Sequence, residues 1–581
     1  MGYVMRHVVK EACLFLLILA LFSLLPLLGF QYYEGNTDPG IVTYFNSIIT
    51  SKPHALPNVN GNWKLISHLF AELYKVFPHF DWYGFTMILF GSFAAFTFLK
   101  ILRIHWERLS SSQFGLGQKV ILSGIFLLFL ENILILEFTR MAYVLSFAGF
   151  LMIIYPFFNN PSNVSTNYLM GWGWLAILLG GLVRTSPAIL SFIVIIPLLC
   201  FFWWKNKIPL ALVAKTFSFP ILFVILLIAL SDIKWNQMDR YTVSYAGYLI
   251  NVWDVGQKDD LQLSSRGDSL TYQVTMMHFM NDFENINPAF FEKIGVPYTR
   301  KKINNLPNLI FNDVRVLKKF REEGLHFLER HIGWTIFFVI ITIIAVWSNF
   351  GHGYEWLYVV AVFIGFLLIY FMIAIFMKMA DRIISPMFFS FSTILAFLIP
   401  NFKKPSQDTK PSFLSLLIVC SVLSVVSIEA SFSGDLLANR KRKVHYHNRF
   451  LNKLSSLDKQ YQFVGYISSW FYSKPFQQPL TNPQVTYLSI DNQGFCFVPT
   501  YWERMKQVTG GESVEEYWQF MKDYSEETII VSEKERIEKL VQYFNYQYNV
   551  EMKVEPIISD FRKHYNGKAR DVKPVGIFKI M

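Results

Sequence analysis

Apolar residues come in long unbroken runs over the first 432 positions of this chain, separated by short polar breaks. A helix that crosses a bilayer needs roughly 20 mostly apolar residues. About eleven runs approach that length: 11–30, 83–103, 119–137, 141–158, 168–183, 187–204, 210–231, 332–349, 354–377, 384–400 and 412–431. The pattern predicts an α-helical polytopic membrane protein. Pro187 and Pro220 fall where a helix would kink or break. The first run follows Arg6 and Lys10, as a secretory signal would. It extends over about 18 residues without a small-x-small cleavage pattern, so it reads as a retained helix.

Three stretches depart from this pattern. Residues 31–82 form a polar loop after the first run. Within it, Trp63–Phe77 places Leu65, Ile66, Leu69, Phe70, Leu73 and Val76 at helical spacing. Such a helix is too polar on its other face to span, and either lies flat on the membrane or packs on the protein. Residues 232–331 form an insert of mixed polar and aromatic sequence. Beyond 433 the chain is soluble in character. There, Glu533–Phe544 has helical spacing with Ile537, Leu540, Val541 and Phe544 on one face, while Thr528–Ser532 and Val575–Ile580 read as short strands. The division expected is a membrane domain over 1–432, with a loop at 31–82 and an insert at 232–331, followed by a small α+β domain over 433–581.

Composition supports the membrane reading. Hydrophobic residues make up 53% of the chain and charged residues 16%, against roughly 25% charged in soluble domains. The net charge of +11 fits Lys and Arg gathered in cytoplasmic loops and needs no nucleic acid partner. Placing the N-terminus inside puts Arg103, Arg108, Lys119, Lys205, Lys207, Lys403, Lys404 and Lys410 in the cytoplasm, and leaves loop 31–82, the insert and the C-terminal domain outside. The cluster Asn439–Lys443 runs against this assignment. The four cysteines form no disulfide framework or CxxC metal site. Neither a P-loop nor a GxGxxG fingerprint is present, so nothing supports ATP or NAD.

With this topology a set of charged groups meets the external membrane face. Glu34 and Asp38 follow the first span, with Pro39-Gly40 marking a turn beside Asp38. Glu137 and Arg140 stand in the turn EFTR, Arg184 in GLVRTSP, and Arg382 in KMADRIISP. Ionisable groups at membrane depth are costly and serve a function or pair with one another. Arginines suit a lipid phosphate, which they bind through paired hydrogen bonds, and a carboxylate suits removal of a proton from an incoming hydroxyl. Each residue also has a plainer reading: a turn residue for Asp38, a structural group for Glu34, a mutual pair for Glu137 and Arg140, an interfacial anchor for Arg382. In the insert, His278, Asp282 and Glu284 fit no metal motif and read as a solvated face.

The arrangement resembles the GT-C superfamily of integral membrane glycosyltransferases, in a bacterial branch. The resemblance rests on the acidic Asp38 in the first external loop, the flat helix Trp63–Phe77, Glu137 in a later short turn, the pairing of FTRMAYVLSFAGFLMIIY with GLVRTSPAIL, and Arg382 with Pro386. It covers roughly residues 1–432. It implies a multi-pass protein of a bacterial inner or plasma membrane with its C-terminal domain outside. It also implies inverting transfer from a polyprenyl-phosphate or polyprenyl-diphosphate sugar donor to a glycan, lipid or protein acceptor. Asp38 would then be the base and Glu34 its nearest rival, with Glu137 a further catalytic candidate. Arg140, Arg184 and Arg382 would bind the lipid phosphate. Many members carry two adjacent acidic residues in the first loop, whereas Glu34 and Asp38 are three residues apart. Some members hold a divalent cation (Mg or Mn) through acidic residues, and Glu137 lacks an evident partner for one. Other classes compatible with the pattern are a lipid-linked glycan flippase, an envelope glycan polymerase or ligase, and a non-catalytic scaffold. The soluble tail and the lack of internal repeats weigh against the flippase.

Overall fold

The structure, a computed structural model, describes residues 2–33, 37–48, 51–53, 63–109, 115–158, 166–206, 216–220, 320–325, 331–350, 355–376, 381–399, 444–457, 459–464, 474–477, 484–489, 499–549, 551–561 and 575–581, with isolated pairs at 222–223, 225–226, 328–329, 422–423, 437–438 and 441–442. The helices used below are α1 (Gly2–Leu28), α2 (Thr37–Phe45), α3 (Trp63–Val76), α4 (Trp82–Leu109), α5 (Gly115–Leu134), α6 (Phe138–Phe158), α7 (Thr166–Val183) and α8 (Thr185–Asn206). They continue with α9 (Ile332–Asn349), α10 (Glu355–Phe376), α11 (Asp381–Leu398), α12 (Pro499–Thr509), α13 (Val514–Asp523) and α14 (Lys534–Tyr548). Contacts divide the chain into two compact units. One holds Met1–Gln31, Phe85–Asp232 and Ile310–Leu437; the other holds Tyr32–Gly84, Ile233–Leu309 and Ala438–Met581.

The first unit is that of a helical membrane protein. Among the described residues five helical stretches are long and apolar enough to cross a membrane: Val9–Leu28, Trp82–Trp106, Phe138–Pro156, Ile332–Asn349 and Glu355–Ile373. Among the described residues these match five of the eleven expected runs, not eleven spans. Tyr168–Val183, Thr185–Phe201 and Arg382–Leu398 are apolar but shorter. Helix α5 carries Gln118, Lys119, Glu131 and Asn132 along its length. The runs 210–231 and 412–431 lie mostly outside the described residues. The overcount has a physical cause: an apolar run does not distinguish a short helix buried in protein from one that crosses lipid.

Helix α6 lies at the centre of this unit, fully buried along its apolar length, against α7 and α8. Glycine allows the close approach of α6 to α7. A Cβ on Gly173 would come within 2.7 Å of the Gly149 carbonyl oxygen, and one on Gly149 within 2.6 Å of that of Gly173. Small residues at such crossings let membrane helices gain backbone contact where no hydrophobic driving force between them exists. Helix α11 packs on α5 and α9. Phe389 stands 5.0 Å from Phe98 and 5.3 Å from Phe129, ring centre to ring centre.

Helix α1 is different, with only 11% of its apolar window buried against protein. Phe15 meets Phe93 and Phe96 edge-on at 6.1 and 5.8 Å. The Lys100 ammonium lies 2.9 Å from a Glu11 carboxylate oxygen and 4.2 Å over the Tyr168 ring. Both charges are largely withdrawn from solvent. Breaking such a pair strands a charge, whereas the intact pair contributes little net stability. Lys100→Ala is expected to destabilise the protein by about 3 kcal/mol, read as a lower denaturation midpoint in detergent. An unchanged midpoint would mean that this pair does not hold α1.

The C-terminal part of the second unit carries a five-stranded sheet. Its strands are β1 (Tyr461–Val464), β2 (Thr486–Ser489), β3 (Thr528–Ser532), β4 (Val554–Ile558) and β5 (Gly576–Ile580), in spatial order β2-β1-β3-β5-β4. Strand β1 pairs in parallel with β2 and β3, while β5 runs antiparallel to β3 and β4. Helices α12 and α13 lie between β2 and β3 in the chain, which gives the long crossover a parallel arrangement needs. The sheet is therefore mixed, with two parallel and two antiparallel pairings. Thr528–Ser532 and Gly576–Ile580 are strands as expected. On α14 the predicted face Ile537, Leu540, Val541 and Phe544 is buried. Ser513 and Glu516 cap α13 reciprocally.

Candidate functional site

In the first unit, the polar residues expected at the membrane face converge on the start of α6. Glu137 immediately precedes this helix and is buried. Its two carboxylate oxygens accept from the Thr139 hydroxyl at 2.8 Å and the Arg140 backbone N–H at 2.8 Å. This satisfies a helix N-terminus that has no intrahelical acceptor, and the helix dipole favours the negative charge there. Arg382, in the first turn of α11, brings a guanidinium nitrogen to 3.6 Å from the same carboxylate. Arg184, in the break between α7 and α8, donates to the Thr139 hydroxyl at 2.5 Å and lies 5.2 Å over the Phe138 ring. Arg140 is among the largest fully buried side chains of the protein. Of the three arginines, Arg382 brings its guanidinium to the carboxylate, Arg184 bonds the neighbouring Thr139, and Arg140 meets Glu137 through its backbone N–H. The Arg382 side chain is 38% exposed, yet its Nε is buried and finds no hydrogen-bond acceptor among the described residues.

Two polar pairs the sequence did not assign adjoin this cluster in the chain. Trp334 of α9 donates its indole N–H to Glu131 at 2.8 Å. The Ser385 hydroxyl of α11 donates to Asn132 at 3.2 Å. Glu131 and Asn132 are the last polar residues of α5 before Glu137, and an acid-amide pair inside an apolar run was the available signal.

The first loop belongs to the second unit. Asp38 is fully buried, and its carboxylate accepts a short hydrogen bond from the Tyr83 hydroxyl. The expected Pro39-Gly40 turn is not formed. Asp38, Pro39 and Gly40 lie instead in the first turn of α2. Proline is tolerated there because the N–H it lacks would have no intrahelical acceptor. Glu34 lies outside the described residues, as do His278, Asp282 and Glu284 of the insert.

Helix α3 uses only part of its predicted apolar face. Ile66 and Phe70 are buried together with Ser67, Ala71 and Tyr74, while Leu69 and Val76 are 56% and 66% exposed. The inward face packs on α2, with Phe45 stacked on Tyr74 at 5.4 Å and edge-on to Phe70 at 5.7 Å.

Asp81 is a second buried carboxylate of this loop, and the sequence reading did not single it out. It precedes α4, where it accepts from the Gly84 N–H at 2.8 Å as a helix cap does. It also accepts from the Tyr33 hydroxyl at 2.9 Å, the Tyr74 hydroxyl at 3.2 Å and the Phe476 backbone N–H at 3.0 Å. Burial pushes its carboxyl up, while these four donors pull it back. Burial and the neighbouring Asp81 hold the Tyr33 phenol well above its usual range. An aspartate immediately before an aromatic-rich helix start was the legible signal for the cap.

A divalent cation finds no fit at Glu137, whose oxygens are already engaged by a hydroxyl, a backbone N–H and a guanidinium. Among the described residues no group of three or more His, Cys, Asp or Glu side chains gathers to hold one. No protein-family model and no curated protein matches this chain.

Proposed function

We propose that this protein transfers a sugar from a polyprenyl-phosphate or polyprenyl-diphosphate donor to a hydroxyl acceptor at the external membrane face, with inversion. The observation that carries the reading is the ion pair of Arg382 with Glu137 at the start of α6 in the membrane unit, beside Arg184 bonded to Thr139 and the buried Arg140. Guanidinium groups match phosphate oxygens in geometry and charge. In the reaction the acceptor oxygen bonds to the anomeric carbon as the bond from that carbon to the phosphate oxygen breaks. The phosphate leaves with the electron pair, and arginines offset its growing charge. Asp38 takes the acceptor proton. The Tyr83 hydroxyl donates to Asp38 and holds the carboxylate in place.

The test is turnover of a panel of polyprenyl-linked sugars by the full-length protein in lipid nanodiscs, beside Asp38→Asn. The amide keeps the shape of the carboxylate but cannot take the proton. Turnover is expected to fall by about 100-fold or more, with the unfolding midpoint kept. Turnover unchanged by Asp38→Asn would move the base elsewhere, with Glu34 next. No turnover with any donor would sink the transferase reading in favour of transport or a scaffold.

A further inference from the structure

Helix α2 carries the candidate base at its first turn, and each of its ends connects through aromatic side chains to the Asp81 carboxylate. At the first end, Asp38 accepts from Tyr83, the Tyr83 ring lies 5.9 Å from that of Tyr33, and Tyr33 donates to Asp81. At the second end, Phe45 stacks on Tyr74 with the rings 3° from parallel, and Tyr74 donates to the other oxygen of Asp81. The Tyr83 N–H also donates to the Tyr74 hydroxyl at 3.2 Å, joining the two routes. The fourth donor to Asp81 comes from far along the chain, the N–H of Phe476. Phe476 has φ of 58°, a left-handed conformation that a bulky residue rarely adopts. Such a conformation persists only where its surroundings hold it. The bond to Asp81 and the ring of Phe80, 6.0 Å away, supply that hold.

We propose that Asp81 is a positioning residue for Asp38, and that its bond to Phe476 makes the placement of α2 depend on the C-terminal domain. The proposal rests on the reading of Asp38 as the base, but its physical content does not. Asp81 touches no reacting atom. It fixes Tyr33 and Tyr74; Tyr74 stacks on the second end of α2, and Tyr33 meets Tyr83, which holds the first. A segment lying between strands β1 and β2 of the C-terminal domain is tied to the same oxygen as Tyr33. Displacing that segment, as acceptor binding to the domain could do, removes a donor from Asp81 and loosens Tyr33.

Hydrogen exchange of the full-length protein in nanodiscs tests this without any substrate. Two variants are compared with wild type. Asp81→Asn replaces one acceptor oxygen by a donor, and Tyr33→Phe deletes one hydroxyl while leaving the charge in place. Both are expected to speed exchange of residues 37–45 by about 10-fold, with α14 unchanged as a control on the fold of the domain. In Asp81→Asn the peptide covering 474–477 is expected to exchange faster as well. Unchanged exchange over 37–45 in Tyr33→Phe overturns the proposal, even where Asp81→Asn fails to fold.

Where wild-type turnover is measurable, a second arm applies. Tyr33→Phe is expected to lower kcat by about 10-fold with KM for the donor held within about 2-fold. In the Asp38→Asn background Asp81→Asn is expected to add no further loss, because residues acting through one group are not additive. A fully additive loss overturns the positioning role. Absence of wild-type turnover would count against the transferase reading alone, because the exchange arm still decides the role of Asp81.

Discussion

Glu137→Ala is expected to be among the most damaging single substitutions in the membrane unit. The carboxylate does two things at once. It caps α6, the helix buried along its whole apolar length, and it faces the guanidinium of Arg382. Losing a cap costs about 1 kcal/mol. Leaving buried positive charge without its acid costs about 3–5 kcal/mol where the partners are withdrawn from water. Arg382 is partly solvated, so a total of about 3 kcal/mol is the reasonable expectation. Glu137→Gln separates capping from chemistry. The amide oxygen can still accept from the Arg140 N–H or the Thr139 hydroxyl, so about half of the stability should return. If Glu137 acts by capping, Glu137→Gln keeps most of the turnover. Loss of turnover in a well-folded Glu137→Gln protein would instead make Glu137 a reacting group. Midpoints in detergent, followed by turnover of the folded fraction, give the answer.

Gly84→Ala is expected to break the Asp81 cluster. An added Cβ would land on the Asp81 carboxylate and within 2.6 Å of the Tyr33 hydroxyl oxygen. Gly84 is a helix residue whose own N–H donates to Asp81, so the backbone cannot retreat without giving up that bond. Forcing a methyl into a filled site costs about 1–3 kcal/mol, and each buried polar group left unsatisfied adds about 1–3 kcal/mol. A loss of about 3 kcal/mol or more is therefore expected. The double variant Gly84→Ala with Tyr33→Phe should be less damaged than the sum of the two, because removing the hydroxyl removes one of the two collisions. Additive losses in that cycle would show that the methyl is accommodated in some other way.

Much of the local structure could be read before the fold was known. The apolar face of α14, the strands β3 and β5, the helical character of Trp63–Val76 and the membrane character of the long apolar helices follow from side-chain periodicity and from the scarcity of charge. Periodicity works there because each element buries one face or all faces. It failed where burial depends on a partner. Leu69 and Val76 match Ile66 and Phe70 in spacing and hydrophobicity, but only the latter are buried, Phe70 against Phe45 of α2. The Pro39-Gly40 pair has the composition of a turn, and its place in the first turn of a helix makes it helical instead.

The candidate residues divide along the same line. Glu137, Arg140, Arg184 and Arg382 were recognisable because each charge interrupts or borders an apolar run. Their gathering at the start of α6 was not, since α6, α8 and α11 are brought together by packing over more than 240 residues of chain. Asp81 was passed over because the bonds that distinguish it come from Tyr33, Tyr74 and Phe476, 48, 7 and 395 residues away. The sequence by itself determined that this is a helical membrane protein, with arginines and acids at the ends of its apolar runs and a folded C-terminal domain. Hydrophobic periodicity is a local property, so the chain carries it openly. Which carboxylate caps a helix, which ties a loop and which is held by a tyrosine was decided only by tertiary structure, because a buried charge takes its role from the donors that the fold brings to it.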